Sequence, residues 1–400
     1  MANKTAKWVA IGVMASLTAC GGSSSTNPGG GPAPNSPRVI NLYPTAPPSG
    51  NRIYVMATSV GSTAVTMPLI FDTGSAGITL NASAIFPSTV VTSSGFVFPA
   101  GETSISYGGI TVTNQQGTRV YGGGGPNGTT QIGNIGYATV TFGDSSGTLT
   151  TSTMPIFLYY SIVLTATGQP IAPGPQQGIF GVNSTTNVIA QAGSTEPADG
   201  YPPCSQQSTG TCRVVSVLKY VQYGQGLHAG FLLSPASLQS CDITTAGSCA
   251  PQPMLTLGLT STQEAGFNTI DLTCPPPANT YVGPPSMEGY PVCLAAIPQT
   301  TIAVSGLATG TLTTEVIFDS GTPYMVVRVP AGVRFPDPVP NGADVSIATP
   351  SGFTYSYTAA PGIANTVIQI DDPNQSIVGV AYFTTNSLFV DYGTSTEGWK

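Results

Sequence analysis

From Val39 onward, short apolar or alternating runs rich in Val, Ile, Thr and Tyr are separated by Gly, Pro, Ser and Asn. Side chains that alternate with period two, interrupted every few residues by turn formers, mark many short strands. Ile53-Tyr54-Val55-Met56, Ala138-Thr139-Val140-Thr141-Phe142, Thr366-Val367-Ile368-Gln369-Ile370 and Ser387-Leu388-Phe389-Val390 are predicted strands. One segment follows another period: Val214, Val217, Leu218 and Val221 fall at i, i+3, i+4 and i+7, which predicts a short helix over 214–223 packed on a sheet. No period of about 20–50 residues is visible, which argues against solenoids and propellers. The predicted fold class is all-β with few short helices.

The first residues follow none of these patterns. Lys4 and Lys7 precede an apolar stretch from Trp8 to Leu17, too short to span a bilayer, so residues 1–19 read as a secretory signal peptide. Its end, Leu17-Thr18-Ala19-Cys20-Gly21, resembles the lipobox of bacterial lipoproteins. That resemblance implies cleavage before Cys20, diacylation of its thiol and acylation of its new amino group, enough for stable anchoring. Residues 20–37 then form a lipidated Gly/Ser/Pro tether, which cannot bury a core. Gly21 after the cysteine resembles the pattern sent to the outer membrane, so the expected location is exported and lipid-anchored there. No prosegment is legible between the tether and the first strand.

Composition narrows the chemistry. Of 400 residues, 40% are hydrophobic and only 7% charged, so the chain does not lean on ion pairs. Ten basic residues and a net charge of −7 leave no footprint for a phosphate backbone, and no nucleic-acid partner is expected. The single histidine, His228, excludes zinc sites built on several imidazoles and is expected to be a packed or surface residue. Beyond Cys20 there are six cysteines, an even number that reads as disulfides in an exported chain. Six allow fifteen connectivities; local pairing is expected, Cys204 with Cys212, Cys241 with Cys249 and Cys274 with Cys293. No C-x₂-C pair occurs, and no metal or cofactor is expected.

Two short motifs carry the functional argument. Phe71-Asp72-Thr73-Gly74-Ser75 follows the apolar Leu69-Ile70, and Phe318-Asp319-Ser320-Gly321-Thr322 follows the apolar Val316-Ile317. Both read as a strand running into a tight Asp-[Thr/Ser]-Gly-[Ser/Thr] loop, one copy in each half of the chain. Two carboxylates held about 3 Å apart cannot both ionise and share a proton, so one can take a proton from water while the other donates to a carbonyl. The glycine lets backbone approach the carboxylates, and the small hydroxyl residues can fix their orientation. Gly143-Asp144-Ser145-Ser146-Gly147 matches G-x-S-x-G, but a nucleophile elbow must lead into a helix and residues 148–153 read as strand. The glycine run from Gly122 to Gly125 lacks the Gly-Lys-[Ser/Thr] of a phosphate loop.

With both Asp loops in view, the chain resembles a pepsin-type aspartic protease across nearly its whole mature length. Tyr121-Gly122-Gly123-Gly124 is similar to the tip of the family's flap hairpin, with Tyr107-Gly108-Gly109 a weaker competitor. Gly178-Ile179-Phe180-Gly181 and Ile377-Val378-Gly379 resemble the strands that cross behind each Asp loop. The resemblance implies a bilobal fold, a β-rich lobe over residues 38–260 and another over 261–400, with a central cleft and Asp72 and Asp319 as catalytic dyad. Thr73 and Ser320 would grip between the loops, Ser75 and Thr322 would bond the outer carboxylate oxygens, and Gly74, Gly321, Tyr121 and Gly122 would bind substrate. The expected activity is endopeptidase action of a monomer on peptide or unfolded protein, with the membrane reached through the lipid anchor. The alternative is a lipoprotein that keeps the fold and grips extended peptide or cell-wall polymer without cleaving. Two departures stand out. The tryptophan that follows the first loop in the family is replaced by Ala76-Gly77-Ile78-Thr79-Leu80, and only 60 residues separate Asp319 from Gly379, against 109 between Asp72 and Gly181.

Overall fold

The computed structural model describes residues 35–122, 128–172, 174–191, 204, 211–274, 293, 296–307, 310–372 and 374–400. The leader, Cys20 and most of the tether lie outside the described residues, as do Gly123, Gly124 and Gly125 of the flap motif.

The repeated motif is a repeated piece of topology. In the first half, strand Thr63–Asp72 enters the Asp72 loop and strand Ala76–Asn81 leaves it. Strand Gly178–Val182 runs between them, parallel to the first from Ile70 to Asp72 and antiparallel to the second. In the second half, strand Thr311–Phe318 enters the Asp319 loop, Met325–Val329 follows it, and Ser376–Val378 lies between, parallel to the first and antiparallel to the second. These strands of the second half belong to a 7-stranded sheet.

Alternation along the entering strands explains the placement of the carboxylates. Successive side chains point to opposite faces, so Phe71 and Phe318 turn into the cores while the next residue, an aspartate, turns away from them. Phe71 lies 6.1 Å from Phe180 and 6.0 Å from Phe231. Phe318 lies 4.6 Å from Tyr382 and 5.6 Å from Trp399. Each aromatic is buried, and burial of such a side chain stabilises by about 1.5–3 kcal/mol. The strand ends that carry the carboxylates are thus pinned from behind.

A further antiparallel sheet joins the halves. Its strands run in the order Arg38–Leu42 (the first part of Arg38–Ala46), Gln252–Leu259, His228–Leu233, Leu388–Asp391, Thr396–Trp399 and Asn268–Asp271. Strands from the end of the chain therefore pair with strands from its first 260 residues.

Three of the predicted strands are present, as Arg52–Val60, Thr366–Ile370 and Leu388–Asp391, while the run 138–142 is broken at Thr139, between Thr129–Ala138 and Val140–Asp144. The predicted helix over 214–223 is a correction. Cys212–Val215 is a strand paired with Thr186–Ile189, and only Val217–Tyr220 is helical, as one 3₁₀ turn. The β-branched pair Val214-Val215 suits the strand, and Ser216 ends it by accepting the Leu218 amide and capping the turn. The G-x-S-x-G match is a hairpin, Val140–Asp144 against Gly147–Thr150, with no helix after it. Cysteines pair locally, Cys204–Cys212, Cys241–Cys249 and Cys274–Cys293, as suits a chain that folds in an oxidising compartment. Among the described residues no helix is long and apolar enough to cross a membrane.

Candidate active site

The two Asp loops meet face to face and are built alike. Asp72 accepts the Gly74 amide at 2.8 Å on Oδ1 and the Ser75 hydroxyl at 2.6 Å on Oδ2. Asp319 accepts the Gly321 amide at 2.7 Å on Oδ1 and the Thr322 hydroxyl at 2.6 Å on Oδ2. Between the loops, Thr73 Oγ1 donates to the Phe318 carbonyl at 2.7 Å and accepts the Ser320 amide at 2.9 Å. Reciprocally, Ser320 Oγ donates to the Phe71 carbonyl at 2.6 Å and accepts the Thr73 amide at 3.2 Å. All four bonds are buried.

Glycine is required at the third position of each loop by the opposite carboxylate. A Cβ on Gly74 would stand 2.5 Å from Asp319 Cγ, and one on Gly321 would stand 2.8 Å from Asp72 Cγ. Any side chain would drive the loops apart. The glycine amides are committed to their own carboxylates, so what the loops can turn toward a peptide at these positions is carbonyl oxygen.

Asp72 and Asp319 are 6% and 8% exposed, so their charges are poorly solvated. The Asp72 carboxyl is held well above the usual carboxylate range by burial first, then by the charge of Asp319 and a hydrogen bond with it, against the pull of Ser75 and Gly74. A pair in this state retains one proton where isolated carboxylates would have lost theirs.

Tyr121 ends strand Ile110–Tyr121, which pairs with Thr129–Ala138 to form the hairpin that resembles the flap. Gly122, exposed and at φ +77°, begins its turn. The Tyr121 hydroxyl is buried beside Thr79, without a hydrogen bond of full geometry. Burial pushes its pKa up to about 12, with Arg119 and Thr79 opposing and the Asp72 carboxylate reinforcing the shift. Tyr107, the competitor, lies instead at the other end of that strand, in the hairpin of Ser104–Tyr107 with Ile110–Tyr121, its ring 5.3 Å from Phe86.

The sequence reading missed several supports. Arg119, two residues before Tyr121 on the same strand, is 2% exposed. Its guanidinium lies 5.1 Å from the Tyr121 ring centroid and donates from Nη2 to the Ala76 carbonyl at 3.0 Å. A cation thus packs on Tyr121, and no tryptophan stands in the strand Ala76–Asn81 beside it. Arg52 is a second cation near the dyad: burial lowers its pKa, while Tyr54, the Asp319 and Asp72 carboxylates and Tyr324 raise it. Asn183 Nδ2 donates to the Thr73 carbonyl at 2.7 Å, and Asn187 Oδ1 accepts the Ala76 amide at 2.6 Å, bracing the first loop from behind. A cavity of about 500 Å³ lined by Tyr43, Met56, Met67 and Ile243 includes neither aspartate.

The fold resembles that of solved structures. The chain is similar to the aspartic proteinase from Irpex lacteus, with TM-score 0.51 and 14% identity over 91% of this chain and 97% of that one. It is also similar to basic 7S globulin from soybean, with TM-score 0.50 and 12% identity over 92% and 95%. No protein-family model and no curated sequence matches the chain. The chain has the bilobal pepsin-like fold of aspartic proteinases.

Proposed function

We propose that the chain is an aspartic endopeptidase in which Asp72 and Asp319 activate one water between them. The observation that carries this reading is the reciprocal dyad, with each carboxylate held by its own loop's hydroxyl and amide and abutted by the other loop's glycine. Fold alone does not choose, since one neighbour is named a proteinase and the other a globulin. The dyad favours hydrolysis because its retained proton supplies an acid and a base with no further group.

In this mechanism Asp72, whose pKa is raised, carries the shared proton and gives it to the scissile carbonyl. Asp319 takes a proton from the water as its oxygen attacks the carbonyl carbon. A tetrahedral gem-diol forms with no acyl-enzyme; as its C–N bond breaks, Asp319 passes its proton to the leaving nitrogen and Asp72 takes one back from a gem-diol hydroxyl, which restores the starting pair. Thr73 and Ser320 hold the loops at the separation this exchange needs, and Ser75 and Thr322 fix the outer oxygens. The carbonyls of Gly74 and Gly321 and the flap residues Tyr121 and Gly122 hold an extended segment of peptide or unfolded protein in the cleft between lobes at 38–260 and 261–400. The enzyme acts as a monomer, and acylated Cys20 tethers it to the outer membrane after export.

The test is digestion of an unfolded protein across acid and neutral pH by wild type, Asp72→Asn and Asp319→Asn, with and without a statine-type inhibitor. Cleavage that follows a bell-shaped acid profile and falls by at least about 10²–10⁴-fold in each variant supports the reading. Tight inhibitor binding by an uncleaving wild type supports the binding module instead.

A further inference from the structure

Remote from the Asp loops in sequence, the chain's single histidine meets two carboxylates. His228 opens its strand in the joining sheet and pairs with Leu259. Asp391 ends the strand on the other side, where it pairs with Gly230. Glu264 ends the helical turn Ser261–Glu264, which follows directly from the Leu259 strand through a capping box of Thr260 and Gln263. Three segments therefore bring donors to one end of adjacent strands. His228 Nδ1 lies 2.9 Å from Glu264 Oε1 and 3.2 Å from Asp391 Oδ2.

We propose that His228, Glu264 and Asp391 form a binding site for a divalent first-row transition cation, with zinc the best match and water completing the shell. The three donor atoms lie within 4.8 Å of one another. Metal–ligand bonds of about 2.0–2.2 Å place the donors of a tetrahedral shell roughly 3.3–3.6 Å apart, so two edges need only a small expansion. Asp391 is preorganised: its Oδ1 accepts the Gly393 and Thr394 amides at 2.7 and 3.1 Å, which leaves Oδ2 aimed at His228. Its side chain is 2% exposed, and a carboxylate so buried is costly unless a cation faces it. The His228 side chain is 41% exposed, leaving an open side for water and for entry of the ion. One imidazole nitrogen with two carboxylate oxygens is a borderline donor set that suits zinc better than calcium or magnesium.

The ion replaces the Nδ1 proton. Binding releases that proton to solvent whenever His228 is charged, and no other bond changes. Glu264 and Asp391 are the charged groups that face the ring, each carboxylate within reach of the Nδ1 proton. A ligating nitrogen must be free of its proton, so proton and metal compete for Nδ1. A bound ion clamps the Ser261–Glu264 turn to the end of the Leu388–Asp391 strand. This site is independent of the protease reading.

Titration of the EDTA-stripped full chain with zinc chloride, by calorimetry at neutral pH, is expected to show one ion bound and a rise in melting temperature. Cobalt as an alternative probe is expected to develop visible d–d absorption that saturates at one equivalent and is bleached by zinc. This readout needs no variant. His228→Ala is expected to lose the zinc-dependent rise, and Glu264→Gln to weaken binding by more than about tenfold, the loss that even an outer-shell change causes. Absence of stoichiometric binding in wild type, or zinc binding unchanged in His228→Ala, overturns the proposal and leaves a proton shared among ion-paired side chains.

Discussion

The hydroxyl of Tyr392 donates to the backbone carbonyl of Val182 at 2.6 Å, joining residues 210 apart in the chain. Val182 ends the strand that runs between the two flanks of the Asp72 loop. Ser216 Oγ lies 2.8 Å from the same hydroxyl and, because the phenol's one proton is spent on Val182, acts as donor. Tyr392→Phe keeps the ring but takes this donor from the Val182 carbonyl and the acceptor from the Ser216 hydroxyl, so a loss of about 1–3 kcal/mol is expected. Urea unfolding at neutral pH measures it, and an unchanged midpoint would show that the bond contributes nothing net.

Buried carboxyls give a second prediction with a definite sign. Asp72 has a folded pKa raised chiefly by burial and then by Asp319, and burial pushes Glu397 up to about 8. A group that holds its proton more tightly when folded makes stability fall as pH rises from its unfolded pKa, about 4 for these, through its folded value. Asp72→Asn removes one such group. At neutral pH the variant should melt above wild type, with the gap closing near about pH 4. A variant that melts below wild type at neutral pH contradicts the assignment of Asp72 as the proton holder.

Arg119 supplies the third. Its contact with the Tyr121 ring is the kind of cation–π packing worth about 0.5–2 kcal/mol. Arg119→Met keeps apolar bulk and loses the charge. If the flap tyrosine depends on that cation, kcat/KM on a peptide substrate should fall by about 2–30-fold while the acid-side pH profile keeps its shape. A displaced pH profile would assign Arg119 to the electrostatics of the dyad instead.

The cysteines give the fourth. Cys241–Cys249 closes a loop with a sequence separation of 8 and holds Ile243 against Tyr54 and Ile70, on the strands leading to the Asp72 loop. Replacing both cysteines by serine should cost about 2–3 kcal/mol in thermal or urea unfolding. In the unfolded, unreduced wild type, thiol titration should find none of the six cysteines free, and two or more titratable thiols would contradict the pairing.

The Asp loops were legible because each is a local signal, an apolar strand running into a turn with fixed residue types, and topology only had to bring the copies together. Local cysteine pairing was legible for the same reason. The helix over 214–223 was misread because one period was laid across two elements, a strand ending at Val215 and a turn starting at Val217, with Ser216 between them. Asn183 and Asn187 escaped because their partners, Thr73 and Ala76, are more than 100 residues away. Arg119 could have been found: residues i and i+2 of a strand share a face, so an arginine two positions before the flap tyrosine was already placed beside it. His228 looked isolated because Glu264 is 36 residues downstream and Asp391 much farther, and only the sheet makes them neighbours.

The joining sheet sets a schedule. Both aspartates emerge during synthesis well before Leu388–Asp391 and Thr396–Trp399, yet those late strands complete the sheet and carry Tyr392 and Trp399 to the backs of the two loops. The backing of both Asp loops is therefore complete only once residues 388–399 have paired, so the site and the joining sheet are finished together.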